Sequence, residues 1–425
     1  IKCDDSATGE ITVPAAIGGV PVKRIASAEL LGGRFGAFGS CEGITKLNLP
    51  DSITQIDDAA FIYCSKLAEI NIPAGVTEIG SNCFDGCESL KKIDIPDGVK
   101  SIGNYAFDGC KELREIVISD SVTEIGYGAF RCCEKLESVT LSKNITAINS
   151  KLFSNCFSLG SVDIPAGVTV IEDNAFANCT SLESVNIPES VKKIDDAAFI
   201  DCVSLKSMEL PSGLVSLGRW ALSGTALYNN ETNWQDGVLY VGSALIEADC
   251  LASNAYTVKT GTRLIADYAF SECGALKSVV LPEGLLSIGR EAFDSCTKLA
   301  SINIPDSVIS VGGDAFYNTQ IWNSFKWRNN ALYIDNALIR AAGNLSGSYT
   351  VKPGTTVIGA GAFSDTDTLT EVVIPDSVKS IGRQAFYDCD KLVKVTLPNG
   401  LERIEEATFA RCCSLKNVNI PESVN

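Results

Sequence analysis

Cysteine has the widest range of possible chemistry in this chain. The 425 residues include 17 cysteines and no histidine. Cysteine can form disulfides, bind metals or act as a nucleophile. The absence of histidine removes the usual general base at neutral pH and the commonest zinc ligand. Neither a Cys-His nor a Ser-His nucleophile pair can therefore be built.

The spacing of the cysteines argues against both disulfides and metal ligation. Side chains stacked one repeat apart should lie about 4.8 Å apart, whereas a disulfide needs Cβ atoms about 3.8 Å apart. We therefore predict a buried ladder of free thiols that act as small apolar side chains. The ladder members recur every 23 residues within two runs: Cys64, Cys87, Cys110, Cys133, Cys156, Cys179 and Cys202, then Cys273 and Cys296.

The sequence leaves the state of several other cysteines undecided. Cys3 and Cys250 lie outside the ladder, and their redox state does not follow from the sequence. Cys132 and Cys412 each begin a Cys-Cys doublet, and we expect the first member of each doublet to be the exposed one.

Acidic residues do not form an evident active site. Pairs such as Asp57-Asp58 and Asp195-Asp196 fall at repeat corners, where turn chemistry favours Asp, and no calcium-loop pattern surrounds them. The net charge of −17 argues against nucleic acid and against an anionic membrane as partner. No apolar run is long enough to span a bilayer. We expect no catalytic residue, no cofactor and no metal.

A repeat organises the chain. Its pattern is Cys-x-x-Leu-x-x-Val-x-Ile-Pro-x-x-Val-x-x-Ile-(Gly/Asp)-x-x-Ala-Phe-x-x, and Leu222 occupies one of its fifteen Phe positions. Repeats of this length predict a solenoid. The other Phe positions are Phe38, Phe61, Phe84, Phe107, Phe130, Phe153, Phe176, Phe199, Phe270, Phe293, Phe316, Phe363, Phe386 and Phe409.

Within one turn, Val185 and Ile187 alternate with polar residues, which predicts a short half-buried strand ended by Pro188. Equivalent strands should form a parallel sheet, giving a curved rod on the order of 70 Å long. We expect one helical or 3₁₀ turn before each Phe. The position after the Ile should adopt a left-handed backbone in a tight corner. It is occupied by Gly80, Gly103, Gly126, Gly289 and Gly382, and elsewhere by Asp57, Asn149 and Asp195.

The repeat resembles the leucine-rich-repeat proteins of the BspA-like branch over residues 11–425. Two segments carry the resemblance: residues 87–96, Cys-Glu-Ser-Leu-Lys-Lys-Ile-Asp-Ile-Pro, and residues 101–107, Ser-Ile-Gly-Asn-Tyr-Ala-Phe. It implies a β-rich α/β solenoid, a right-handed superhelix of about fifteen turns with a parallel concave sheet and short helical or 3₁₀ turns. Members of this branch are typically secreted or surface-attached and are associated with adhesion to host matrix proteins and other cells.

We expect residues 1–425 to form a single solenoid, with residues 1–36 as an irregular N-terminal repeat or cap. Residues 419–425 stop halfway through a repeat, so we expect a truncated C-terminus. The first residue is Ile and the one Met is Met208, so any signal peptide lies outside this sequence.

Two inserts interrupt the repeat, at residues 223–256 and 317–349. Each predicts a β-hairpin, with turns at 242–243 and 335–336, and we expect both hairpins to project from the same edge. The inserts match each other at an offset of 93 residues.

Two sets of residues are candidates for ligand binding. The first lies on the outward positions of the concave strands, and the alternative is a merely solvated sheet face: Lys46, Asn48, Glu69, Asn71, Lys92, Asp94, Glu115 and Asn186. The second set contains insert aromatics, whose 93-residue match favours the alternative that they pack onto the solenoid: Trp234, Tyr240, Trp327 and Tyr333.

The leading hypothesis is a non-catalytic, extracellular or cell-surface binding protein, an adhesin that contacts host matrix proteins, glycans or other cells. The partner is an unidentified protein or glycan, and we favour a monomer. An alternative is a structural spacer or assembly segment that presents another domain. A remote alternative is a carboxylate-based enzyme.

Overall fold

The structure is a computed structural model that describes residues 3–4, 6–27, 36–249, 254–324, 330–416 and 418–424. Cys250 and Trp327 lie outside the described residues. Two compact units are present. The first comprises residues 1–214 and 220–231, and the second comprises residues 215–219 and 232–425.

A regular turn contains two short strands, one on each side of the proline. In the repeat around Pro188, the strand Ser184–Asn186 buries Val185 between two exposed polar residues. A second strand, Lys193–Ile194, buries Ile194. We call these the pre-proline and post-proline strands. The sequence predicts the pre-proline sheet, but it indicates only that the Ile position turns inward, so the second parallel sheet is a new finding.

In the first unit, both sets of strands pair in parallel at the repeat spacing, as where Val162 pairs with Val185 and Ile171 with Ile194. The pre-proline strands are Thr8–Thr12, Gly43–Asn48, Glu69–Ile70, Glu115–Val117, Ser138–Thr140, Ser161–Asp163, Ser184–Asn186 and Ser207–Met208. The post-proline strands are Arg24–Ile25, Gln55–Ile56, Glu78–Ile79, Ser101–Ile102, Glu124–Ile125, Ala147–Ile148, Val170–Ile171 and Lys193–Ile194. An antiparallel pair, Ala16–Ile17 and Val20–Pro21, lies within the irregular N-terminal repeat.

The second unit repeats this arrangement around the two inserts. Its pre-proline strands are Ala255–Thr257, Ser278–Val280, Ser301–Ile302, Ser346–Thr350, Thr368–Val373 and Lys394–Thr396. Its post-proline strands are Ser216–Leu217, Leu264–Ile265, Ser287–Ile288, Ser310–Val311, Val357–Ile358, Ser380–Ile381 and Arg403–Ile404.

The phenylalanines form the centre of the core in each unit. Phe107 and Phe130 are fully buried and stack with ring centroids 5.3 Å apart and planes 2° from parallel. Phe270 and Phe293 stack at 5.0 Å in the second unit. One turn cannot bury its apolar set alone, so stacking of equivalent rings supplies the core of a solenoid.

The left-handed residues lie elsewhere than predicted. They flank the phenylalanine, two residues before and two residues after it, as Ala197 (φ 55°) and Asp201 (φ 57°) do around Phe199. None of the predicted corner residues, glycine or acidic, has a positive φ. Glycine is favoured after the Ile because neighbouring turns approach closely: a Cβ on Gly103 would lie 2.5 Å from the Ser81 nitrogen.

The residues around each phenylalanine form hydrogen-bonded turns and no continuous helix. In one such turn the Cys179 N–H donates to the Phe176 carbonyl at 3.1 Å, an i→i−3 bond. The flanking left-handed residues interrupt any helical continuation. Within the described ranges, the helical segments are the 3₁₀ helix Glu231–Asn233 and the α-helix Gln320–Ser324, both in the inserts. No described helix has the length and apolar character needed to cross a bilayer.

The insert hairpins are confirmed, but they do not project. The strands Val238–Val241 and Ala244–Ala248 are antiparallel, and so are Ala331–Ile334 and Ala337–Ala341. Ala244–Ala248 then pairs in parallel with Leu264–Ile265, and the second hairpin is joined to its sheet in the same way. Because each hairpin thereby extends a post-proline sheet, Val238–Val241 is buried throughout.

Candidate ligand-binding surfaces

The predicted ladder cysteines lie in the core as free thiols. Their thiols also act as hydrogen-bond donors: Cys179 Sγ donates to the Phe153 carbonyl at 3.1 Å, and Cys64 Sγ donates to the Phe38 carbonyl at 3.0 Å. Burial raises the pKa of the Cys179 thiol well above its usual value. Such protonated, inaccessible thiols are poor nucleophiles.

The ladder is longer than the sequence interpretation allowed. Cys41, Cys389 and Cys412 also follow a phenylalanine by three residues and are buried. The expectation for the second doublet is wrong, because Cys412 is buried and donates to the Phe386 carbonyl at 2.9 Å, whereas Cys413 is exposed. Their distance from the Phe identifies all three, and two of them also keep the 23-residue step, since Cys41 precedes Cys64 and Cys389 precedes Cys412 by 23 residues.

No described group of three or more His, Cys, Asp or Glu side chains is placed to hold a metal ion.

The pre-proline face carries charges that pair between neighbouring turns. Lys46 Nζ lies 3.4 Å from Glu10 Oε1 and 3.7 Å from Glu69 Oε2. Glu10 Oε1 also accepts a hydrogen bond from Asn48 Nδ2 at 2.8 Å. Lys92 and Asp94 form a further exposed pair at 3.3 Å. Glu10, Lys46 and Glu69 therefore alternate in charge across three successive turns, whereas Lys92 pairs within its own turn.

Asn71 has a structural use. Its Nδ2 donates to the Leu49 carbonyl and its Oδ1 accepts the Leu49 N–H, both at 2.8 Å. This side chain thus replaces a backbone pairing with the preceding turn. Glu115 and Asn186 point into solvent from regular strands, and Val117 beside Glu115 is 62% exposed.

The insert aromatics hold each hairpin to the turn that follows it. The Tyr240 hydroxyl lies 2.9 Å from the Tyr256 hydroxyl and accepts the Lys259 N–H at 3.3 Å. The second insert repeats these contacts: Tyr333 lies 3.1 Å from Tyr349 and accepts the Lys352 N–H at 3.1 Å. The duplication seen in the sequence is therefore a duplication of contacts.

Trp234 is partly exposed beside the first hairpin. It begins the short strand Trp234–Gln235, which pairs with Val238–Val241.

Two grooves of about 360 and 420 Å³ run along the post-proline side of the first unit. The first is lined by Ser101, Gly103 and Glu124 among others. The second contains Arg24, whose Nε donates to both carboxylate oxygens of Asp57, at 2.9 and 2.8 Å. Hydroxyl and carboxylate groups line both grooves, and no aromatic ring does.

A surface that sequence reasoning missed lies beside the phenylalanine column of the first unit. We call it the tyrosine edge, and define it by Tyr63, Asp85, Tyr105, Asp108, Tyr127, Arg131 and Lys151. The signal in the sequence is aromatic residues at left-handed positions, since Tyr63 (φ 58°) and Tyr105 (φ 55°) flank the phenylalanines of two turns.

Charges on the tyrosine edge are tied to its rings. Arg131 donates to both carboxylate oxygens of the buried Asp108 at 2.6–3.1 Å, and its Cζ lies 5.3 Å from the Tyr105 ring centre. Tyr105 and Tyr127 meet edge to face at 5.0 Å, and Lys151 Nζ lies 5.3 Å from the Tyr127 ring. The arrangement resembles a stacked row in which cations cover aromatic faces.

Parallel strands that pair at a fixed repeat on both sides of the proline match the leucine-rich-repeat solenoid of about fifteen turns, and the described residues contain almost no helix. The model of the BspA-type leucine-rich-repeat region matches residues 34–160, 146–259, 263–347 and 342–425. The chain belongs to this family.

Several solved structures are similar. A leucine-rich repeat protein from Bacteroides ovatus is 27% identical, with 96% of this chain and 85% of that chain covered and a TM-score of 0.49. A leucine-rich cell surface protein from Faecalibacterium prausnitzii is 26% identical, with 98% and 91% covered and a TM-score of 0.37. A leucine-rich repeat protein from T. pallidum is 31% identical over 46% of this chain and 77% of that chain, with a TM-score of 0.34. No curated protein matches the chain.

Proposed function

We propose that this chain is a non-catalytic binding protein that lies outside the cell or on its surface and acts as an adhesin. Membership of the BspA-type family supports a surface role. The adhesive partner would be a host matrix protein or another cell, bound through the pre-proline face. Residues proposed to take part are Lys46, Glu69, Glu115 and Asn186.

The observation that carries this proposal is the regular, preformed pre-proline face. Lys46 and Glu69 occupy the same position in successive turns and are held in register by paired strands. A rigid surface of this kind avoids the cost of ordering loops when it binds. Because each exposed contact is weak, affinity would come from many turns acting together.

The experiment measures binding of the purified chain to immobilised fibronectin, laminin and collagen. The test variant inverts three paired charges together: Glu10→Lys, Lys46→Glu and Glu69→Lys. Because the pairs persist with opposite sign, stability should change little while the potential of the face reverses. A matched control inverts a different pair, Glu88→Lys with Lys111→Glu. Lys111 Nζ lies 2.9 Å from Glu88 Oε1, and each of these residues directly follows a ladder cysteine.

We expect saturable binding to at least one matrix protein that falls at least tenfold in the test variant and is unchanged in the control. Equal binding by both variants would exclude the pre-proline face. An absence of binding to all three proteins would contradict the proposed adhesive function.

A further inference from the structure

The first of the two grooves on the post-proline side, of about 360 Å³, crosses several successive turns of the first unit. Four of its lining residues occupy the same outward position of consecutive post-proline strands: Glu78, Ser101, Glu124 and Ala147. The groove therefore runs along the stack for three strand spacings, roughly 14 Å. Its volume lies within the range of about 300–1,000 Å³ that is usual for ligand sites.

Glycine corners keep this groove continuous from one turn to the next. Gly103 and Gly126 both line it, and the turns approach so closely there that a Cβ on Gly126 would lie 2.4 Å from the Asn104 nitrogen. Because glycine has no side chain, nothing projects into the groove from these two corners. At Asn149 the corner carries a side chain again, and the described lining reaches no further along the chain.

The polar side chains of the groove have unused hydrogen-bonding capacity. Among the described residues, none forms a hydrogen bond or an ion pair with four of these side chains: Glu78, Ser101, Glu124 and Thr146. Asn104 Oδ1 accepts the Tyr127 N–H at 2.8 Å, which leaves the Asn104 Nδ2 donor unused. Carboxylates accept, amide nitrogens donate and hydroxyls do both, so the groove can satisfy a ligand that presents many hydroxyl groups.

A peptide fits the groove less well, because the groove lies on the face of a sheet and not at its edge. Ser101 pairs with Glu78 on one side and with Glu124 on the other. Extended peptides that bind by strand addition need an open edge. The described lining also lacks the aromatic and arginine side chains that anchor most protein contacts.

An anionic ligand is disfavoured as well. No lysine or arginine belongs to the described lining of the groove, whereas Glu78 and Glu124 do. The chain as a whole carries a net charge of −17, which repels acidic polymers.

From this geometry we propose that the first groove binds an uncharged polysaccharide that lies along the stack. A sugar ring is about as long as one strand spacing, about 4.8 Å, so successive rings meet successive turns. Ring hydroxyls donate to the Glu78 and Glu124 carboxylates. They also exchange hydrogen bonds with Ser101 and Thr146 and accept from Asn104 Nδ2. The site lies on other strands than the pre-proline face and does not depend on the adhesive function proposed above.

Native affinity electrophoresis tests the site, with hydroxyethyl cellulose or glucomannan cast separately into the gel and heparin as the anionic comparator. We expect at least one of the two neutral polysaccharides to retard the intact chain, and heparin not to. Ser101→Leu, which fills the groove and removes a hydroxyl, should weaken that retardation at least tenfold. Ser101→Thr, which keeps the hydroxyl and suits a strand, should retain it. Glu78→Ala combined with Glu124→Ala should weaken it several-fold.

Each groove variant has a matched control elsewhere in the chain. Ser216→Leu makes the same change at the equivalent strand position of the second unit. Glu283→Ala combined with Glu422→Ala removes two exposed carboxylates that lie outside the groove. Circular dichroism on each variant separates loss of binding from loss of fold. The proposal is overturned if neither neutral polysaccharide retards the intact chain, or if a control weakens retardation as much as its groove counterpart.

The adhesive function is read separately, from the immobilised matrix proteins, which Ser101→Leu should bind as the intact chain does. If Ser101→Leu loses a matrix protein but keeps the polysaccharide, the groove is a protein contact and the carbohydrate proposal is wrong. If no matrix protein binds, yet a neutral polysaccharide retards the intact chain and not Ser101→Leu, the adhesive function fails and the groove proposal stands.

Discussion

The regular turns of the first unit and the turns that begin the inserts differ at the residue three positions after the phenylalanine. In a regular turn, the Phe176 carbonyl accepts the Cys179 N–H of its own turn at 3.1 Å and the Cys202 thiol of the next turn at 3.1 Å. Before the second insert, Thr319 Oγ1 instead donates to the Phe316 carbonyl of its own turn at 2.8 Å. The cysteine side chain therefore links two turns by a hydrogen bond, whereas the threonine side chain forms its hydrogen bond within its own turn.

At the start of each insert, the threonine hydroxyl also accepts the backbone N–H three residues further on. Thr319 Oγ1 accepts the Trp322 N–H at 3.1 Å, and Thr225 accepts the Tyr228 N–H at 3.0 Å at the start of the first insert. Threonine at this position does not by itself interrupt the repeat. Thr366 donates to the Phe363 carbonyl of its own turn, yet the repeat continues and Cys389 of the next turn donates to the same carbonyl. Threonine permits an insert, and the following sequence decides whether one forms.

The phenylalanine column is common to both units. Removing one of its rings should therefore cause the largest loss of stability, and the loss should be equal in the two units. Phe176 stacks on Phe153 at 5.5 Å and on Phe199 at 5.1 Å, and Phe293 stacks on its neighbours at 5.0 and 5.5 Å. Phe176→Ala and Phe293→Ala should each lower the free energy of unfolding by about 3–5 kcal/mol. Urea titration followed by circular dichroism measures this.

Phe157→Ala is the matched control for this prediction, because Phe157 is 40% exposed outside the column. It should cost less than about 1 kcal/mol. A large loss at Phe157, or a difference of several kcal/mol between Phe176 and Phe293, would show that the column does not dominate both units.

The sequence predicts the stacking well and the local geometry less well. The 23-residue period of Phe176 and its equivalents predicts the solenoid, because a single turn cannot bury that set. The sequence could not show that Gly103 is needed because neighbouring turns approach closely. Glycine is favoured both where backbones approach closely and where the backbone is left-handed, so its presence does not distinguish the two. The post-proline strands are two residues long, which is too short for any alternation to reveal them.

The candidate surfaces were predictable only in part. The outward positions beside Val185 follow from strand alternation, so the pre-proline face could be predicted. The pairing of Lys46 with Glu10 depends on a contact across an irregular repeat, which spacing alone does not give. The tyrosine edge was missed because Tyr63 follows its phenylalanine by two residues whereas Tyr105 precedes its phenylalanine by two, so the two tyrosines do not share a repeat position.

The smallest expected effect concerns the tyrosine pairs that attach the hairpins. The Tyr240 hydroxyl has two partners, Tyr256 and the Lys259 N–H, so Tyr240→Phe removes two hydrogen bonds. Tyr256→Phe removes one of them and leaves the Tyr240–Lys259 bond. Tyr240→Phe should lower the free energy of unfolding by about 1 kcal/mol, and Tyr256→Phe by about half as much. The loss at Tyr240 stays this small because the Lys259 N–H can donate to water instead.

The second insert supplies an internal repetition of this test. Tyr333→Phe should likewise cost more than Tyr349→Phe, because the Tyr333 hydroxyl also accepts the Lys352 N–H at 3.1 Å. Thermal melts of the four single variants measure the order. A reversed order in one insert alone would show that the 93-residue duplication preserves the contacts but not their energies, and a reversed order in both would show that the Tyr256 and Tyr349 hydroxyls hold the hairpins instead.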